Sequence, residues 1–173
     1  MLRKSLLVAL ALLVVFGCEQ KKPVTEGMDL GQAAPALEGN DTTGQAIRLS
    51  DQRGKVVLVD FWATWCGPCV QMVPHEKELV QRLEGQPFLI LGVSADHEQD
   101  DLKKFLNEKG IAWPNIYDGL KGPLADAWQV HAFPTIFIID AKGIIRFKQE
   151  GYGPASASKI DNAIDKLLRE ARY

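Results

Sequence analysis

Apolar positions along this chain fall into short blocks whose period alternates between that of a strand and that of a helix. Ala36-Leu37-Glu38 and Ala46-Ile47-Arg48-Leu49 flank a turn-rich stretch from Gly39 to Gly44, which predicts an N-terminal β-hairpin. Val56 to Phe61 is apolar except at Asp60, the pattern of a strand buried on both faces. Val70, Val73, Val80 and Leu83 then recur at helical spacing, and Phe88 to Val93 forms a second buried strand. Asp100 to Lys109 predicts a helix closed by Gly110. A short strand over Trp113 to Tyr117 and a short helix over Pro123 to Trp128 follow. Ile136–Ile139 and Ile144–Lys148 are joined by Asp140-Ala141-Lys142-Gly143, a hairpin turn. Ile160, Ile164, Leu167, Leu168 and Ala171 mark one face of a last amphipathic helix.

Strands alternating with helices, then a hairpin and a final helix, predict an α/β domain with a central mixed β-sheet flanked by helices. The globular part, about 140 residues, suits a single core. The chain shows no internal repeat and no low-complexity tract.

The strand at Val56–Phe61 runs directly into Trp62-Ala63-Thr64-Trp65-Cys66-Gly67-Pro68-Cys69. A Cys-x-x-Cys turn that opens a helix points to thiol redox chemistry. Unpaired N–H groups and the positive end of the helix dipole favour a thiolate at Cys66, making it the candidate nucleophile. Cys69, one turn later, can attack the same sulfur and resolve a mixed disulfide within the molecule. Gly67 suits the tight turn, and Pro68 pre-sets φ for the first helical turn where its missing N–H goes unneeded.

Trp-Cys-Gly-Pro-Cys after Val59-Asp60-Phe61-Trp62-Ala63 resembles the active site of thioredoxins. Pro74 matches that family's helix-kinking proline, Phe133-Pro134-Thr135 resembles its cis-proline loop, and Gly151 resembles the glycine bordering the substrate groove. The similarity covers roughly residues 33 to 170 and implies a thioredoxin fold. The hairpin before Val56 and an insert around 96–120 resemble the extracytoplasmic, membrane-tethered thioredoxin-like group of the TlpA/ResA type. The resemblance implies a thiol-disulfide oxidoreductase acting on protein disulfides, with the Cys66–Cys69 disulfide as its redox centre and no other cofactor. Trp65 is expected to form an exposed wall of the site, while Trp62 packs beneath it. A cis bond before Pro134 would present backbone groups to an extended substrate, with Phe133 facing the cysteines.

Asp60 is a carboxylate in an apolar strand, and burial without a partner raises its pKa toward neutrality. In thioredoxins the matching aspartate helps deprotonate the second cysteine, which implies the same role toward Cys69. The family's lysine partner has no counterpart in Phe88 to Ala95, so the Asp60 pKa is expected to rise further. Relatives serving cytochrome c maturation often carry glutamate three residues after the second cysteine. Here that position is Met72, expected to pack in the core.

The N-terminus sets the expected compartment. Arg3 and Lys4 precede an unbroken apolar run from Leu6 to Phe16, too short for a bilayer, which needs about 20 residues. Val15-Phe16-Gly17-Cys18 resembles a bacterial lipobox, with Cys18 the lipidated residue. The expected organisation is a lipoprotein signal peptide over 1–17, a flexible tether over 18–32 and a thioredoxin-like domain over 33–173. Such a protein would be lipid-anchored on the periplasmic side of a bacterial membrane. Two or more acyl chains would hold it there stably. No G-x-G-x-x-G follows a strand, so no nicotinamide or flavin site is visible, and the resemblance implies a membrane electron donor of thiol-relay type.

Composition narrows the partners further. The chain has 20 Lys and Arg against 22 Asp and Glu; removing 1–17 takes two of the 20 and leaves a net charge of −4. With no basic cluster, nucleic acid is not an expected partner. Of three cysteines, Cys18 goes to lipid, so Cys66 and Cys69 are a pair used for chemistry. Zinc needs a second ligand pair, and His75, His97 and His131 are scattered, so no metal is expected. The chain is expected to act as a monomer. Alternative readings are a dithiol oxidase, a cytochrome c maturation reductase, a thiol peroxidase, whose usual threonine is replaced by Ala63, and a metal or haem chaperone.

Overall fold

The computed structural model describes residues 29–171. The expected signal peptide over 1–17, Cys18 and the expected tether up to residue 28 lie outside the described residues. Gly31 and Gln32, expected in the tether, are instead docked: Gly31 N–H donates to the Ile145 carbonyl and Ile145 N–H donates to that of Gln32. Their backbone groups find partners at the sheet edge, so the ordered domain begins slightly before residue 33.

The elements are β1 (Glu38–Asn40), β2 (Ala46–Arg48), β3 (Val56–Trp62), α1 (Gly67–Arg82), β4 (Phe88–Ser94), α2 (Gln99–Lys109), β5 (Asn115–Tyr117), α3 (Pro123–Ala127), β6 (Thr135–Ile139), β7 (Ile145–Glu150) and α4 (Ser156–Glu170). β1 and β2 form the expected hairpin. Its turn lies later than the glycines suggested, because the Asp41 carboxylate accepts from Thr43 N–H, the Thr43 hydroxyl and Gln45 N–H. Gly39 is thereby left inside β1, where a Cβ would come within 2.8 Å of Ile116. Leu49, expected in the strand, starts a 3₁₀ turn.

The main sheet has the order β5-β4-β3-β6-β7, with β3, β4 and β5 parallel and β6 and β7 antiparallel. This is a thioredoxin fold with a hairpin extension and with α2 and β5 in the insert. Alternate residues of β3 serve different layers. Val57, Val59 and Phe61 pack with Trp128, Phe137 and the hairpin's Ile47. Val56 and Leu58 pack with Met72 and Leu79 of α1 and Ile160 and Ile164 of α4. Each such buried aliphatic side chain contributes about 1.5–3 kcal/mol of transfer free energy.

Two details of helical phase differ from the sequence reading. The buried stripe of α1 is Cys69, Met72, Val73, Glu76 and Leu79, so Val80 points outward and is exposed. Ala171 caps α4 rather than extending its apolar face, and is exposed.

Candidate functional site

β3 ends beneath the head of α1, and the connection between them carries the cysteines. Cys66 is the N-cap of α1 and Pro68 sits in its first turn. The two cysteines form a disulfide with an S–S distance of 2.07 Å and a Cα–Cα distance of 5.3 Å. Cys69 N–H donates to Cys66 Sγ at 3.3 Å, so a helix N-terminal donor already points at the sulfur expected to carry the thiolate. Cys66 and Cys69 are both buried, while Gly67 and Pro68 are exposed beside them.

The loop before Cys66 is held from below by Asp96, a buried carboxylate at the end of β4. It accepts from Thr64 N–H at 2.9 Å, from the Thr64 hydroxyl at 2.6 Å and from the Ser94 hydroxyl at 2.7 Å. Trp62 lies under the motif with Phe105 of α2 against it, and its Nε1–H donates to Asn115 Oδ1 at 2.9 Å. Leu102 and Leu106 of α2 complete the apolar shell around Trp62 and the two cysteines.

Trp65 is 52% exposed, with its ring edge-on to Phe133 at 5.9 Å and near His97 at 6.2 Å. The Phe133–Pro134 peptide bond is cis. The Pro134 carbonyl is not open to a substrate: Gly151 N–H donates to it at 2.8 Å, and Gly151 has a positive φ of 74°. Gly151 therefore fixes the loop from behind. Exposed Leu120 and His131 lie with Phe133 around a neighbouring cavity.

Asp60 shares the α1-facing side of β3 with Leu58 and Trp62, between the layer that holds Met72 and the layer that holds Cys69. It is only 3% exposed. The side chain it meets is a second carboxyl group, Glu76 of α1, 2% exposed. Among the described residues neither receives a hydrogen bond from any other side chain or N–H, and Asp60 Oδ1 and Glu76 Oε1 are buried without partners. Burial pushes the Asp60 carboxyl up to about 7, and a hydrogen bond with Glu76 offsets part of the rise. Glu76 is held well above the usual carboxylate range, first by burial and then by the Asp60 charge.

Met72 is fully buried in the core between α1 and the sheet. The histidines do not converge. His75 Nε2 lies 3.2 Å from Asp161 Oδ1 with its ring stacked on Tyr152, His97 lies by Trp65, and His131 is on the Pro134 loop. Sequence reasoning singled out Cys66, Cys69, Asp60, Trp65 and Phe133, which the structure gathers around the head of α1. It missed Glu76, Asp96 and Asn115. A signal for Glu76 was present: it sits seven residues after Cys69, on the same face of the helix.

A cysteine pair at a helix N-terminus, with a buried carboxyl pair on the same helix and strand face and an exposed aromatic ring beside it, can exchange disulfides with another chain. Comparison with known proteins agrees. The profile of the AhpC/TSA family matches residues 30–148. The thiol-disulfide oxidoreductase ResA of Bacillus anthracis is 34% identical over 143 residues, spanning 82% of this chain and 80% of that protein. ResA of Geobacillus kaustophilus is 34% identical over 138 residues, covering 80% and 78%. A Chlorobium tepidum crystal structure, assigned as the thiol:disulfide interchange protein DsbE, superposes with a TM-score of 0.77 at 32% identity, covering 82% of this chain and 99% of that one. The thioredoxin domain of a thiol-disulfide oxidoreductase from Bacteroides vulgatus gives 0.70 at 28% identity, covering 80% and 99%.

Proposed function

The chain belongs to the AhpC/TSA family and is a thiol-disulfide oxidoreductase, and we propose that it works as a reductase of protein disulfides outside the cytoplasm. The observation that carries this reading is the Cys66–Cys69 disulfide at the head of α1, with the Cys69 N–H directed at Cys66 Sγ. In the reduced protein the same N–H and the helix dipole stabilise a Cys66 thiolate. That thiolate attacks a client disulfide, forming a Cys66–client mixed disulfide and releasing one client sulfur as thiolate. Cys69 then gives its proton to Asp60 and attacks Cys66 Sγ. The Cys66–Cys69 bond forms, and the second client sulfur leaves and is protonated by solvent. Two electrons pass from the dithiol to the client, and the protein's own disulfide is the only redox group the cycle uses.

Trp65, Phe133 and the exposed face of Gly67 and Pro68 form the surface on which a client chain docks, with Gly151 holding the Pro134 loop. This groove is complete within one chain, which supports action as a monomer. The apolar run of Leu6–Phe16 ending at Gly17-Cys18 supports export and a lipid anchor on the periplasmic side of the membrane. A membrane thiol-relay protein would restore the dithiol there. Met72, where cytochrome c maturation reductases often carry glutamate, weighs against dedication to that pathway.

The test is the reduction potential of the Cys66–Cys69 pair, set by equilibration against dithiothreitol and glutathione buffers. A value well below that of the glutathione couple is expected. A value well above it would make the protein a dithiol oxidase with the same site residues.

A further inference from the structure

Glu76 is the one carboxyl group of the buried stripe of α1. Helix side chains lean toward the N-terminus, so from a position two turns and about 10 Å beyond Cys69 its carboxyl reaches back toward the motif. There it meets Asp60. Two carboxylates cannot face each other as bare anions in an apolar layer, and no other donor among the described residues supplies either of them. One proton resolves the contact, because a carboxylic acid donates to a carboxylate in a short, charge-assisted hydrogen bond.

We propose that Glu76 carries this proton and donates it as a hydrogen bond to the Asp60 carboxylate, making Glu76 a positioning residue for proton transfer from Cys69. The inference rests on the reading of Asp60 as the base toward Cys69. Glu76 does not touch the sulfurs. It keeps Asp60 ionised in a site whose burial favours the neutral acid, so the base is ready when the mixed disulfide forms. On transfer, Cys69 loses its proton to Asp60 and both carboxyls are then neutral. When the disulfide is next reduced, the proton returns to Cys69 and the pair again holds one. The other titratable groups around the pair are His75 and Glu78 on α1, Tyr152 after β7 and Asp161 on α4. Asp161 is engaged by Arg82 and His75, and Gly92 and Ile136, the neighbours of Asp60 on the adjacent strands, bring no charge.

The test follows the full chain as its reduced form reacts with glutathione disulfide, reading release of the second glutathione as the resolution step. In E76L, Asp60 loses its donor: resolution at pH 7 slows about tenfold and the midpoint of its pH profile rises by about one pH unit. E76Q keeps a neutral donor and recovers most of that loss. At pH 9, above the Asp60 midpoint of about 7, the reduced wild type still shows the infrared carbonyl stretch of a protonated carboxylic acid, and E76Q lacks it. A cooperative urea transition of each variant reports that it is folded. An unmoved midpoint in E76L, an E76Q as slow as E76L, or no acid band overturns the role of Glu76 while D60N remains slow. If D60N resolves as fast as the wild type at every pH, the assignment of Asp60 as base fails and that of Glu76 falls with it.

Discussion

The Asp96 carboxylate accepts both the backbone N–H and the hydroxyl of Thr64, so one buried acid at the end of β4 sets the course of the loop that delivers Cys66 to the head of α1. The Ser94 hydroxyl donates to its other oxygen. With Ala95 N–H donating to the Trp62 carbonyl, the ends of β3 and β4 are tied together directly below the disulfide.

Replacing Asp96 by Ala leaves the Thr64 and Ser94 donors without their acceptor in a buried site. Hydrogen bonds to a charged group are worth about 1.5–3 kcal/mol, so D96A is expected to lose several kcal/mol of stability. Urea denaturation of both redox forms measures this. A loss below about 1 kcal/mol would show that water replaces the carboxylate and that the loop holds its course without it.

Stability should fall as pH rises through the range set by Asp60. Its folded pKa of about 7 lies above the ordinary value of 3.8, so between those limits the folded chain binds more protons than the unfolded one. This contribution is fully present below about pH 4 and is lost as pH rises through 7, at up to about 1.4 kcal/mol per pH unit. D60N removes it. The variant should match the wild type near pH 4 and exceed its stability at pH 8 by a few kcal/mol. Urea midpoints across that range check the sign, and a difference that does not grow with pH would contradict it.

Separating the two cysteines tests the order of attack. C69S should accumulate a mixed disulfide with client protein, because Cys66 attacks and nothing resolves it, whereas C66S should capture almost none. Mass spectrometry of each variant after mixing with a disulfide-bonded protein reads both adducts. Capture by C66S equal to that by C69S would mean Cys69 is also an entry nucleophile, although it is the more deeply buried of the two, 2% exposed against 7% for Cys66.

The motif and the fold could be read in the chain because they rest on local patterns. Val56–Phe61 is apolar enough to announce a buried strand, Gly110 ends α2 in the left-handed conformation its sequence position suggested, and Asp60 stands out against its neighbours. Glu76 did not stand out. It lies within His75-Glu76-Lys77-Glu78, a polar run that reads as a solvent-facing turn, and only the phase set by Cys69 and Met72 turns it inward. The same phase explains Val80, which sequence reading put inside in place of Leu79. Asp96 was hidden for a different reason. Ser94 is a near neighbour in the chain, but Thr64 is brought to it by the parallel pairing of β3 with β4, which no local pattern specifies.

Trp65 should govern affinity for protein clients and leave the chemistry alone. Its ring is half exposed, held edge-on by Phe133, and makes no hydrogen bond to the motif. Exposed aromatic anchors of this kind dominate binding surfaces, so W65A should raise KM for a protein disulfide about tenfold. The rate with a small aromatic disulfide, which needs no docking surface, should change less than about threefold. Equal losses on both substrates would place Trp65 among the groups that tune the cysteines.

Gly92 marks how tightly the floor of the site is built. A Cβ there would fall 1.9 Å from Asn115 Oδ1 and 3.1 Å from Trp62 Nε1, the two atoms whose hydrogen bond fixes the indole under the cysteines. Neither group has room to retreat: Trp62 is wedged against Phe105, and the Asn115 amide also donates to the Trp113 carbonyl. G92A must therefore break the indole bond or part β4 from β5, and overpacking of this kind costs about 1–3 kcal/mol. Because Trp62 packs beneath both sulfurs, the dithiol and disulfide forms should lose stability alike. The reduction potential should then move by less than about 30 mV. Urea denaturation of both forms, together with the potential, distinguishes the outcomes. A large potential shift would show that the indole discriminates between the two redox states, and unchanged stability would show that β5 yields without cost.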